Sequence, residues 1–229
     1  MKDVFSKFPS TPHLAVLHDV DVRGDKVMTE SERERFLEQE VTVEEKVDGA
    51  NLGISFAAGG AIRAQNRGNF LSLPGSGQWR ELPRWLDIHY DELFELLSDQ
   101  YILFGEWCYA QHSVFYDRLP DWFLSFDIFD RSASRFLSAV RRDRMLNQVD
   151  IATVPFIARG HFSYADIVRL LSASALGAQP AEGVYLRCDN GDWLLQRAKL
   201  VRPAFIQAIA GHWSRSALRQ NRIHSQRPG

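Results

Sequence analysis

The stretch Glu45-Lys46-Val47-Asp48-Gly49-Ala50-Asn51 gathers an amine, a carboxylate and an amide around one glycine. A free lysine has a pKa of roughly 10.4 and is protonated at neutral pH. Burial and cationic neighbours lower that value and expose the nitrogen lone pair, which makes a nucleophile. A surface hairpin that carries Lys46 and Asp48 on its turn is the other reading of this stretch. Further along, Arg67 is either an ordinary exposed arginine or a hold on a ribose or phosphate oxygen. Glu106 follows Gly105 at the end of an apolar run and is either a satisfied structural acid or an acceptor for a sugar hydroxyl. Phe126 is a core ring or a platform for a purine base. Glu182 offers a metal-ready carboxylate, and Arg197 and Lys199, two apart, point to one face of a strand. Together these groups suit attack of an amine on a nucleotide α-phosphate.

The elements that must position them follow from periodicity. Val41, Val43 and Glu45 alternate with Thr42, Glu44 and Lys46, and a second run goes from Leu52 to Phe56. That predicts strand, tight turn, strand, with Lys46 on a hairpin. Residues 1–27 read as an extended lead-in, and Thr29 with Glu32 caps a charged helix over 30–39. A third strand over 61–68 ends on Arg67 and Gly68. An amphipathic helix over 84–98 buries Trp85, Leu86, Phe94 and Leu97. A strand from Tyr101 runs into Glu106, residues 111–121 read as a surface loop, and 122–130 is an aromatic strand. A basic helix over 134–148 and a Ser163-capped helix over 164–176 precede a hairpin over 182–200, turned at Asn190-Gly191. Pro203 opens a last helix, and the basic tail with Arg215, Arg219, Arg222 and Arg227 is expected to be partly ordered.

The 229 residues are 45% hydrophobic and 24% charged, with a net charge of −2. That is a globular composition, and any nucleic-acid surface has to be local. Cys108 and Cys188 lie far apart, which argues against a zinc site or disulfide framework and for a reducing, cytoplasmic setting. No membrane span and no signal peptide are read. Lysine occurs only at positions 2, 7, 26, 46 and 199, against 22 arginines. Codon bias accounts for the arginines, but not for where Lys46 and Lys199 fall.

In order, these elements resemble the covalent nucleotidyltransferases, the ATP-dependent ligases and capping enzymes, and most of all the RNA ligases related to phage T4 RNA ligase 2. Lys46-Val47-Asp48-Gly49 resembles the nucleophile motif KxDG, and Asn51 the asparagine just after it. Arg67-Gly68, Phe104-Gly105-Glu106, Phe126-Asp127-Ile128, Glu182-Gly183-Val184 and Arg197-Ala198-Lys199 resemble the motifs that follow. Arg197 departs from the family's K-x-K. The resemblance spans residues 8–210. It implies an α+β nucleotidyltransferase (adenylation) domain of the ATP-grasp-like ligase type, with antiparallel sheets around a nucleotide cleft and helices outside. An adenylyltransferase domain over 1–210 and a basic tail over 211–229 are expected, with no OB-fold or other C-terminal domain.

The implied activity joins RNA 5′-phosphate and 3′-hydroxyl ends through lysyl-AMP and RNA-adenylate, with ATP and Mg²⁺ or Mn²⁺ as cofactors. Lys46, Lys199, Asp48 and Asn51 are then catalytic. Glu45, Lys46, Arg67, Glu106, Phe126, Glu182, Arg197 and Lys199 hold the nucleotide, and Glu182 the metal. RNA ends are the expected partners, with an end-healing or RNA-binding protein as a possible further one, and RNA repair is the family's setting. A DNA ligase or nick sealer, a GTP-using capping enzyme and a catalytically silent RNA-binding relative are the alternatives.

Overall fold

A computed structural model describes residues 5–17, 26–98, 100–205 and 218–224. It is α+β, built on two antiparallel sheets. The strands are β1 (Val41–Lys46), β2 (Ala50–Phe56), β3 (Ile62–Gln65), β4 (Tyr101–Trp107), β5 (Phe123–Asp130), β6 (Arg135–Phe136), β7 (Phe156–Gly160), β8 (Gly183–Asn190) and β9 (Trp193–Val201). The first sheet has the order β7-β1-β8-β9 and the second β3-β2-β4-β5-β6. The helices are α1 (Glu30–Leu37), α2 (Leu82–Ile88), α3 (Tyr90–Leu97), α4 (Ala139–Leu146) and α5 (Tyr164–Arg169).

Alternation sets the faces of the first sheet. Val41, Val43, Val184, Leu186, Cys188, Ala198 and Leu200 form its apolar side, covered by Phe36 of α1 and Ile167 of α5. The opposite face carries Glu44, Lys46, Tyr185, Arg187, Arg197 and Lys199. Buried charge is stable only when paired and hydrogen-bonded, and here the second sheet supplies the partners. Arg187 pairs with Asp127 of β5, and Arg197 reaches the other Asp127 oxygen at 3.1 Å. Arg142 of α4 pairs with Glu44 and donates to the Phe126 carbonyl at 2.6 Å. Arg187 donates to that same carbonyl at 3.1 Å. On the second sheet, Leu52, Ile54, Phe56, Leu103, Phe123 and Ile128 pack outward under α2 and α3. Phe104, Leu124 and Phe126 pack inward with Phe8 of the lead-in.

Several elements differ from the sequence expectation. β1 and β2 do not form a hairpin. β1 pairs with β7 and β8, and β2 with β3 and β4, so the Val47–Gly49 turn crosses from one sheet to the other. A Cβ on Gly49 would stand 2.9 Å from the Trp107 carbonyl, which is why a glycine sits at the crossing. The 84–98 helix is two helices broken at His89, and Phe94 is exposed, stacked on Tyr90 with its edge contact to Phe56. The 134–148 helix divides into β6 and a short α4, capped by Ser138, whose Arg142 is buried. α5 ends at Arg169, with the expected Ser163 cap and a reciprocal Asp166. β7 has no counterpart in the sequence reading.

The 111–121 stretch is not a surface loop, since Val114, Tyr116 and Leu119 are fully buried. Residues 218–224 of the tail pack onto it, with buried Asn221 accepting from Tyr116 N at 2.9 Å and donating to Cys108 O at 2.8 Å. The 211–229 tail otherwise falls largely outside the described residues, Arg215 and Arg227 included, as does the Pro203 helix beyond residue 205. No helix among the described residues is long and apolar enough to cross a membrane.

Candidate active site

Lys46 ends β1 with Gly183 of β8 as its partner, so Glu182, one residue before, lies beside the lysine. A Cβ at Gly183 would come within 2.2 Å of the Leu200 carbonyl, so only glycine lets β9 lie this close behind Glu182. Lys46 Nζ donates to Glu182 Oε2 at 2.6 Å. Across the gap, Asn51 of β2 pairs with Glu106 of β4. Lys46, Asp48, Asn51, Arg67 and Glu106, with Gln78 and Trp79, line a cavity of about 460 Å³.

Three carboxylates surround the amine, and they decide its state. Burial pulls Lys46 down, but Glu182, Glu106 and Asp48 outweigh it and raise the amine above the ordinary lysine value. The expectation that burial and cationic neighbours hold Lys46 neutral is therefore reversed, because the three carboxylates favour the ammonium. Burial pushes Glu182 up, against the charges of Lys46 and, further off, Lys199. Burial raises Glu106 to about 8, with Lys46 and Arg67 pulling it down and Glu182 and Asp48 pushing it up. At neutral pH Glu106 is mostly protonated, which relieves a site otherwise crowded with negative charge.

This charge state has a measurable consequence. Between about pH 4.5 and about 8 the folded protein holds a proton on Glu106 that the unfolded chain has released. Stability therefore falls as pH rises through that window. The Lys46 contribution is present throughout it, and is lost as pH rises from the ordinary lysine value through the amine's raised one. Glu106→Gln is expected to flatten part of the decline in melting temperature between about pH 5 and 8. Parallel wild-type and variant profiles would remove Glu106 as its source.

Asn51 Oδ1 and Nδ2 and Glu106 Oε2 are buried and have no hydrogen-bond partner. A buried polar atom left unpaired costs on the order of 1–3 kcal/mol. Orphans clustered on one cavity are what a ligand with hydroxyl or phosphate groups would satisfy. Among the described residues no group of three or more His, Cys, Asp or Glu is set to hold a metal alone. Glu182 is a hard oxygen donor, and it fits a cation that keeps waters and takes further oxygens from a substrate, as Mg²⁺ or Mn²⁺ does.

The remaining expected residues divide. Asp48 spends Oδ2 on the backbone N–H groups of Ser113 and Val114, at 2.6 and 2.9 Å, and its own N–H donates to Tyr116 Oη at 2.8 Å. Through Oδ2 it shapes the turn, and it lines the cavity beside Lys46. Arg67 is not at a strand end, because β3 stops at Gln65. Asn66 Oδ1 accepts from Gly68 N and Asn69 N, folding Arg67 into an exposed turn over the cavity. Lys199 lies opposite Tyr185, with its backbone paired to Pro12 and Leu14.

Arg197 is not in the Lys46 cluster, being held by Asp127 and stacked 4.0 Å over Phe136. Glu45 points to the other face of β1, where its carboxylate binds Ser174 Oγ and the Ala175 N–H at 2.9 Å. Phe126 stands between Phe8, 5.2 Å away, and Tyr185, 6.3 Å away across the sheets. Tyr185, Gln78 and Trp79 were not singled out by the sequence. The available signal was an aromatic residue within the Glu182 strand and a tryptophan in a glycine-rich loop.

A family model described as RNA ligase matches residues 39–201. Among solved structures, a variant of Naegleria gruberi RNA ligase with ATP and manganese superposes with a TM-score of 0.63 at 17% identity, over 76% of this chain and 53% of that one. The same enzyme with pyrophosphate gives 0.64 at 17%, over 90% and 63%. Another variant with AMP and manganese gives 0.61 at 16%, over 88% and 63%. At these identities the likeness shows the fold, and the chain spans little more than half the length of those proteins. Among curated proteins no relative matches.

Proposed function

The chain belongs to the RNA ligase family, and from that premise we propose that it is an ATP-dependent RNA ligase acting through a lysyl-AMP intermediate. The observation that carries this reading is the Lys46–Glu182 contact at 2.6 Å, beside a cavity whose Asn51 and Glu106 atoms lack partners. Of the neighbouring structures, two hold ATP or AMP with manganese and one holds pyrophosphate. We assign the space between the sheets as the nucleotide cleft.

In the first step Lys46 Nζ bonds to the α-phosphorus of ATP, and the bond to the pyrophosphate oxygen breaks. The amine must first lose a proton to solvent, since Glu182, which accepts its short hydrogen bond, would hold the cation. Mg²⁺ or Mn²⁺, held by Glu182 with waters, would offset phosphate charge when bound. Lys199 faces the same oxygens as a fixed cation. Glu106 and Arg67 hold the ribose, and the base enters between Phe126 and Tyr185. Two stacking contacts need about 7 Å, so the rings must part slightly from 6.3 Å. AMP then passes to an RNA 5′-phosphate, and a 3′-hydroxyl displaces it to seal the strand.

Lys199→Ala should slow lysyl-AMP formation on the order of 10²-fold, as loss of a transition-state donor does. An unchanged rate would take Lys199 out of the site. Sealing assays on matched RNA and DNA nicks, with ATP or GTP, test the function as a whole. Sealing of RNA with ATP supports it, while DNA-only sealing or GTP labelling moves the chain to the nick-sealing or capping reading.

A further inference from the structure

Resting on that RNA-sealing reading, we infer that the 218–224 segment and the 111–119 loop form the track that carries the 5′-phosphate RNA strand to Lys46. The segment's backbone is fixed. Gln111 N donates to Arg219 O at 2.8 Å, Arg222 N to Tyr116 O at 2.9 Å and His224 N to Leu119 O at 2.7 Å. Buried Asn221 locks it from beneath. Arg219 and Arg222 are left exposed, their guanidinium carbons 4.2 and 5.9 Å from the Phe115 ring centroid. Among the described residues neither has a carboxylate within ion-pair distance, whereas nearby Arg118 and Arg80 have Asp117 and Glu81 at 3.8 Å.

The track joins the site at two points. Asp48 of the nucleophile turn holds Ser113 and Val114. His112 Nε2 meets Gln78 Oε1 at 3.0 Å, and Gln78 lines the Lys46 cavity. Between them Arg80 stacks 5.1 Å over Tyr109. Guanidinium groups alternating with aromatic rings match a strand in which phosphates alternate with bases. In a chain with a net charge of −2, such attraction must come from a local patch. A fixed backbone under free arginines also limits the ordering that binding would require.

The test uses the full-length protein and a 5′-phosphorylated single-stranded RNA, read by fluorescence anisotropy over a salt series, with lysyl-AMP formation from labelled ATP measured in parallel. Arg219→Ala/Arg222→Ala is expected to weaken RNA binding on the order of tenfold. The log–log salt slope should fall by about 1.4, at about 0.7 per phosphate contact on a single strand. Adenylation, which needs no RNA, should stay within about twofold. Arg219→Lys/Arg222→Lys should keep the slope, which a merely structural role for the pair would not require. Unchanged RNA affinity in the alanine variant overturns the inference, as does an equal loss from Arg159→Ala on edge strand β7, or equally tight and equally sensitive binding of a DNA strand. If wild type binds RNA with these sensitivities but forms no lysyl-AMP, the ligase reading fails while the RNA track stands.

Discussion

Lys46→Ala is expected to leave a folded protein that binds ATP and forms no covalent adduct, a loss of 10⁴-fold or more for removal of a nucleophile. Among the described residues, none that lines the cavity carries a second amine. Lys199 lies on β9 opposite Tyr185, outside that lining. The substitution also removes the cation that Glu182 and Glu106 share. Both carboxyls should then hold protons to higher pH, so the variant's folding should remain secure near neutrality. Circular dichroism establishes the fold, and labelling with ATP carrying a radioactive α-phosphate reads the adduct. A retained adduct in the alanine variant would overturn the nucleophile assignment.

Asp127→Asn should have the largest effect on stability. Asp127 is fully buried and binds Arg187, also fully buried, through one oxygen and Arg197 through the other. Making it neutral leaves an uncompensated guanidinium between the sheets, which costs about 3–5 kcal/mol. The urea midpoint should fall accordingly, and Arg187→Met in the same chain should restore part of it. The effect extends to the nucleotide cleft, because Arg187 and Arg142 both grip the Phe126 carbonyl. ATP affinity should therefore weaken along with stability. An unchanged midpoint would mean that water or a shifted side chain satisfies Arg187.

The types of these elements were legible in the sequence, and their partners were less so. Alternation located β1 and β2, because a period of two fixes which side chains share a face, while apolar and aromatic runs located β4 and β5 and the Asn190-Gly191 turn located the β8–β9 hairpin. It does not say which strand lies alongside, so two adjacent strands read as a hairpin although Lys46 sits on a crossing between sheets. Arg142 and Arg187 looked like ordinary polar residues because Glu44 lies 98 residues and Asp127 60 residues away. The 111–121 stretch looked like surface for the same reason, since Asp48, which anchors it, is 65 residues away from Ser113. Within the candidate site, residue types pointed to Lys46, Asn51, Glu106 and Glu182. The Glu45 and Arg197 placements needed coordinates, because a side chain two strands away decides whether a charge faces the cleft or is held by a neighbour.

The measurement that bears most directly on the central claim is adduct mapping. The full-length protein is incubated with ATP and Mg²⁺ or Mn²⁺, digested, and its peptides sequenced by mass spectrometry. The account predicts one AMP, joined through an acid-labile phosphoramidate to Lys46. Folded protein without an adduct under either metal, or an AMP on any other residue, would contradict it.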